Sequence, residues 1–252
     1  VENTWIFCAG NRRSGSTVHY HYVRELVEQA GIGRGYGAVP GGAIGQKPWS
    51  ILDYENEPGV KVWRSHRPTK VVKQVLRNNP DCRIVYIHRD MRDCLVSTMN
   101  HEPQKGFSWF MGSWVDNNIQ NENYWLGTKH PTLMTKYEDM VEDTFAELQR
   151  IRNFLNLEDV VTEDQLVQIQ NKYQLDRVKA DPSFKEVLDQ DAFGWAVGDG
   201  GFRPFLNNHV FNGTWGQFLT VLTEEEIYKI EARCQGNLIN RGYPLYDEIK
   251  EK

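Results

Sequence analysis

No run of the chain approaches the ~18 consecutive apolar residues that a membrane-spanning helix needs. Nor does a signal-peptide-like apolar stretch stand at its start, so a soluble, cytoplasmic protein with no membrane partner is expected. Positive charge is in deficit: 29 Lys and Arg against 34 Asp and Glu leave a formal net charge of −5. Nucleic acids and polyanionic polysaccharides usually meet a basic face, which makes them poor candidates for the main partner. Cysteine is sparse. Cys8, Cys82, Cys94 and Cys234 form no C-x-x-C pair and no Cys/His zinc spacing, so free thiols in a reducing compartment are expected, and no metal. Internal repeats and low-complexity linkers are missing too, and residues 1–252 read as a single domain.

What is present is an alternation of short apolar runs with amphipathic stretches. Residues 4–9, 60–63, 83–88 and 132–137 read as strands. Residues 18–30, 69–78, 91–101, 107–126, 141–155, 165–173 and 224–240 read as helices, the last opened by a Thr223–Glu226 capping box. Glycine-rich residues 32–46 are expected to be a loop, and residues 181–216 a long irregular one. Strands alternating with helices predict an α/β fold, a central mainly parallel β-sheet flanked by helices.

Although net charge is negative, Arg12, Arg13, Arg64, Arg67, Arg89 and Arg92 gather between positions 12 and 92. The first two lie in Cys8-Ala9-Gly10-Asn11-Arg12-Arg13-Ser14-Gly15-Ser16-Thr17, after the first strand. That stretch has the glycine spacing of a Walker phosphate loop, but Ser16 stands where the lysine belongs. A strand, a glycine turn and a helix start still form an anion site, because backbone N–H groups and the helix dipole point at the ligand. Gly15 permits close approach, Ser16 and Thr17 donate hydroxyls, and Arg13, with Arg12 beside it, supplies the positive charge that the lysine would carry.

The segment Arg12-Arg13-Ser14-Gly15-Ser16-Thr17 resembles the 5′-phosphosulfate loop of the sulfotransferases. The resemblance implies a P-loop-like sulfotransferase fold and binding of 3′-phosphoadenosine 5′-phosphosulfate (PAPS), with adenosine 3′,5′-bisphosphate (PAP) as product. Val18 stands where an aromatic often follows, and His19, Tyr20 or Tyr22 are the candidates to replace it. Arg89 and Ser97, eight residues apart across a second strand-to-helix junction, are similar to the family's 3′-phosphate pair. That spacing is just over two helical turns, so Ser97 lies on roughly the face where the helix begins. Asp93 is expected to orient the loop. Lys61-Val62-Trp63-Arg64-Ser65-His66-Arg67-Pro68 is similar to the stretch that carries the family's general base. This makes His66 the base, an imidazole being neutral and able to take a proton near pH 7. Arg64 falls at the lysine that contacts the sulfonate.

Three further matches complete the resemblance. Tyr137, in Lys136-Tyr137-Glu138-Asp139-Met140, falls where a tyrosine contacts adenine, and Ser183 and Phe184 where a segment packs on it. Gly112-Ser113-Trp114 falls on the acceptor side. The C-terminal Arg-Lys clamp of the family is absent: residues 208–215 read NHVFNGTW and keep only Gly213 and Trp215, with His209 or Arg203 as replacements. Acceptor walls are expected from residues 31–46, from Phe107, Trp109, Phe110 and Trp114, and from Phe193, Trp195, Phe202 and Phe205, a lining suited to a ring or a cation. Asp53, Glu55, Glu57, Asp116, Asp191 and Asp199 are the acids that would receive a cation. The expected activity is transfer of a sulfonate from PAPS to a hydroxyl or amine of a small-molecule acceptor, without metal. A P-loop kinase-like phosphotransferase and a catalytically silent nucleotide-binding protein remain as alternatives, and a homodimer stays open.

Overall fold

The computed structural model of the protein describes residues 4–39, 50–174 and 214–251. Five strands form one parallel sheet in the order β2-β3-β1-β4-β5, with β1 at Trp5–Gly10, β2 at Gly33–Ala38, β3 at Val60–Ser65, β4 at Arg83–His88 and β5 at Thr132–Lys136. Side chains alternate across each strand, so the sheet is apolar on both faces. Trp5, Phe7 and Ala9 of β1 join Trp63, Ile84 and Tyr86 on one face, covered by α2 (Lys70–Asn78) and by Trp125 of α4 (Phe107–Leu126). Ile6 and Cys8 join Val62, Val85 and Ile87 on the other, covered by α1 (Ser16–Gln29), α6 (Thr144–Phe154) and α7 (Glu163–Lys172). A third cluster packs α3 (Met91–His101) and α4 against α9 (Glu224–Asn240) through Cys94, Leu95, Phe110, Trp114, Ile230 and Leu238. The short α8 (Phe218–Val221) and α10 (Tyr246–Lys250) complete the C-terminal part.

Two expectations need correction. Residues 33–38, read as loop, are the edge strand β2. Glycine is used there for closeness rather than for turning: a Cβ at Gly35 would lie 2.5 Å from the Tyr20 hydroxyl and from Arg24 Cγ and Cδ of α1. The helix expected over residues 141–155 is two helices, α5 (Tyr137–Glu142) and α6. Asp143 lies between them in a non-helical conformation, and its carboxylate accepts from the Ala146 N–H, capping α6. The tyrosine placed at the end of a strand therefore opens α5.

In open parallel sheets ligands bind beyond the carboxyl ends of the strands. Here the strands that end in Gly10, Ser65 and His88 are neighbours, with β1 in the middle. The candidate residues Arg13, His66 and Arg89 follow those three ends.

Candidate active site

Beyond Gly10 the chain makes a tight turn. The Ser14 N–H and hydroxyl both donate to the Asn11 carbonyl, at 3.2 and 2.7 Å. Arg13 and Gly15 take positive φ values of 70° and 87°, and Gly15 precedes the first residue of α1. No side chain caps α1 and no acidic residue occupies its first turn. The first-turn N–H groups, with the positive end of the helix dipole, are thus left for an external acceptor. Ser14 and Ser16 are buried, Thr17 half-buried and Arg12 exposed.

The second junction comes within reach of the first. Arg13 Nε donates to Ser97 Oγ at 3.0 Å, across 84 positions of sequence. Arg89 is buried, its guanidinium 4.6 Å from the Tyr137 ring centre and 3.8 Å from Asp93. It donates to the Thr214 carbonyl at 3.2 Å, while its Nε has no partner among the described residues. Tyr137 presses its other side on the loop, since a Cβ on Gly15 would lie 2.5 Å from Tyr137 Cδ2. This ring is a spacer between the two junctions, a position that its sequence neighbours do not reveal.

The end of β3 closes the group. Arg64 donates to Thr17 Oγ1 and has no carboxylate partner among the described residues. A half-buried guanidinium without a counter-charge is costly unless an anion joins it. His66 is half-buried, and its Nδ1 meets the Gly10 carbonyl at 2.8 Å. A carbonyl only accepts, so Nδ1 carries the proton and Nε2 keeps the lone pair. Burial first, then the charge of Arg64, pulls His66 down to about 4.

Other expected residues sit elsewhere. Arg92 belongs to the core: it pairs with Asp90 at 2.6 Å and with Glu231, donates to the Pro244 carbonyl, and lies 4.0 Å over Phe218. Asp93 was expected to orient its own loop; its carboxylate instead accepts from the N–H groups of Gly216 and Phe218 at 2.8 and 3.1 Å and so holds a segment more than 120 positions away. Trp215 donates to Asp90 at 3.0 Å, which brings the surviving Gly-x-Trp tryptophan beside the Arg89 junction. His19, Tyr20 and Tyr22 are buried and cannot replace the missing aromatic: His19 meets Glu147, Tyr20 accepts from Gly37 N–H, and Tyr22 lies edge-on to Tyr173. Phe110 and Trp114 belong to the core rather than an acceptor wall, whereas Trp109 is exposed with Lys105 Nζ 3.7 Å above it. Asp116 pairs with Arg233, Glu57 with Arg34, and Asp53 caps its own turn. Ser183, Phe184, Asp191, Phe193, Trp195, Asp199, Phe202, Arg203, Phe205 and His209 lie outside the described residues.

Two polar residues of α4 that the sequence does not single out also reach the loop. Asn118 Oδ1 accepts from Arg12 N–H at 3.3 Å, and Glu122 accepts from Asn11 Nδ2 at 3.0 Å. Their spacing of one helical turn on an aromatic helix was the available signal.

The chain matches the sulfotransferase domain family over residues 5–239. It belongs to the sulfotransferase family. Human sulfotransferase 1C2 is 24% identical over 213 residues, covering 77% of this chain and 68% of that protein. Dog sulfotransferase 1B1 is 28% identical over 223 residues, with the same two coverages. The crystal structure of mouse sulfotransferase SULT7A1 complexed with PAP shares the fold, with a TM-score of 0.64 at 18% identity, covering 96% of this chain and 87% of that one. The family membership makes the protein a sulfotransferase enzyme, and the kinase-like alternative falls away. Among the described residues no helix is long and apolar enough to cross a membrane.

Proposed function

We propose that the two strand-to-helix junctions hold the two phosphate ends of PAPS and that His66 is the base that activates a small-molecule hydroxyl or amine. The observation that carries this reading is the Arg13–Ser97 hydrogen bond, which joins the two anion-binding segments into one site. Among the described residues three features suit such a donor: an uncapped helix start, an Arg64 without a carboxylate, and a buried Arg89 with a spare N–H.

In this reading Arg13, the loop amides and the hydroxyls of Ser16 and Thr17 grip the 5′-phosphosulfate, with Arg12 at the mouth, while Ser14, buried and with its N–H and hydroxyl both given to the Asn11 carbonyl, shapes the turn rather than touching the donor. Arg89 and Ser97 grip the 3′-phosphate. Tyr137, Ser183 and Phe184 are assigned to the adenine. PAPS supplies an activated sulfonate whose transfer leaves PAP. Arg13 and Arg64 stabilise charge on the non-bridging and departing oxygens, the kind of contact whose loss typically costs ~10²–10³ in rate. The Gly10 carbonyl holds His66 in the tautomer whose Nε2 accepts the acceptor's proton. A base held near 4 is weak, and the negative charge of a bound donor beside it moves it upward, so that it strengthens when needed. Arg12 and Arg67 also bear on His66, which favours an acceptor that is neutral at its reacting end over a cation. Four buried free thiols support a reducing, cytoplasmic setting.

The test is label transfer from the sulfate donor to a panel of small alcohols and amines. His66→Ala should keep PAP affinity and lose about 10²–10⁴ in transfer rate. Transfer at the wild-type rate would remove His66 from the mechanism.

A further inference from the structure

Glu122 is a buried carboxylate outside the groups just assigned. It sits in α4, is 2% exposed, and collects donors from three other parts of the fold. Oε2 accepts from Asn11 Nδ2 at 3.0 Å and from the Tyr86 hydroxyl at 3.4 Å. Oε1 accepts from Asn237 Nδ2 of α9 and from Arg241 Nε just beyond it, both at 3.0 Å. One turn earlier on α4, Asn118 takes the Arg12 N–H and returns its own Nδ2 to the Trp114 carbonyl at 2.8 Å.

The loop is therefore held from outside at two successive residues, Asn11 through its side chain and Arg12 through its backbone. Asn11 is only 2% exposed, yet its amide oxygen has no partner among the described residues. A carboxylate can only accept, so the bond to Glu122 fixes which way the amide faces even at the expense of that oxygen. The Asn11 carbonyl is also the acceptor for both Ser14 bonds, so a rotation of Asn11 would carry Ser14, Gly15 and the head of α1 with it.

We propose that Glu122 and Asn118 are positioning residues that set the phosphosulfate loop in its binding conformation, with Glu122 coupling the loop to α9 through Asn237 and Arg241. This rests on the assignment of the loop to the donor phosphosulfate. It goes beyond that assignment because neither residue is among those assigned to donor or acceptor. Loop preorganisation bears on the donor alone, so the acceptor KM is untouched while donor affinity and turnover fall together.

The experiment is calorimetric titration of the full chain with PAP, paired with steady-state kinetics and thermal melting, for Asn11→Ala, Glu122→Gln and the double variant. Whichever way a glutamine at 122 is turned, its NH2 meets a donor, either Asn11 or the Asn237–Arg241 pair. Each single variant should weaken PAP binding about tenfold, the scale of one charge-assisted hydrogen bond only partly transmitted to the ligand. The double variant should bind no worse than the weaker single, because the two residues act through one contact. Asn11→Ala leaves the Glu122–Arg241 pair whole and keeps the test usable if Glu122→Gln folds poorly. Unchanged PAP affinity with a lowered melting temperature would mean that the network serves stability alone and would overturn the proposal, as would strictly additive effects. Arg13→Ala is the reference: if it too binds PAP like wild type, the donor assignment of the loop fails and this inference fails with it.

Discussion

Replacing Gly15 with alanine separates backbone strain from ligand contact at the head of α1. Gly15 has φ 87°, where an L-residue pays roughly 1–2 kcal/mol. The new methyl would also lie 2.5 Å from Tyr137 Cδ2 and 2.7 Å from Cε2, so the ring must move. Tyr137 carries the Arg89 guanidinium at 4.6 Å. Disturbing a partly desolvated stack of this kind costs about 0.5–2 kcal/mol. An empty loop can relax by leaving the left-handed conformation, and must regain it to bind, so most of the cost falls on the complex. A total of about 2–3 kcal/mol corresponds to roughly 30- to 150-fold in the dissociation constant. Calorimetry with PAP reads this directly, and thermal melting should move much less. In the Tyr137→Ala background the steric part disappears, and adding Gly15→Ala should cost only the strain, about 5- to 30-fold. A Gly15→Ala variant that binds PAP as wild type does would show that the loop adopts another conformation when it binds, and the argument from Gly15 would be lost.

Other outcomes follow from the same geometry. Ser97→Ala removes the acceptor for Arg13 Nε and should weaken PAP binding about tenfold, with the acceptor KM unchanged. Arg92→Ala leaves Asp90 and Glu231 buried without their counter-charge and should cost about 3–5 kcal/mol in chemical denaturation, with loss of the Trp215 fluorescence environment. His66 and His88 are both held down to about 4, chiefly by burial. Their unfolded value lies near ~6.5, so below it the unfolded chain binds more protons. Stability present above pH ~6.5 should therefore be lost as pH falls towards about 4, and His88→Gln should flatten that slope in a melting series. A melting temperature that rises on acidification through this window would contradict the placement of the two rings, His88 buried and His66 half-buried.

The parts of the site that were legible in the sequence are those built from local order. Gly10 ends a strand and Gly15 precedes a helix, and Ser97 lies about two turns along the helix that opens just after Arg89, so the local placement follows from spacing, while the pairing of Arg89 with Ser97 came from the family resemblance. The place of His66 just beyond β3 was legible because the strand before it was; its role came from the family resemblance. What stayed hidden depends on distant partners. Arg92 looks like Arg89 in sequence, yet three residues' difference in position turns it into the core, where Asp90 and Glu231 neutralise it. Glu122 reads as a polar residue on an aromatic helix, and only the folded arrangement brings Asn11 and Arg241 to it. The edge strand β2 was missed because its glycines signal looseness, whereas here they admit α1 to close contact. The break at Asp143 was missed because the apolar stripe of α6 continues in phase with the preceding turn.

Gly10 on β1 stands opposite Ile87 on β4 in a parallel ladder. Neighbouring strands are held ~4.8 Å apart by their backbone hydrogen bonds, whatever the side chains. The two junctions therefore behave like the jaws of a caliper whose opening is locked by main chain. Substitutions at the tips can soften either jaw without changing the span, so if the junctions hold the two phosphates as proposed, nucleotides with one phosphate, or with phosphates spaced differently, should engage one jaw and forfeit the other.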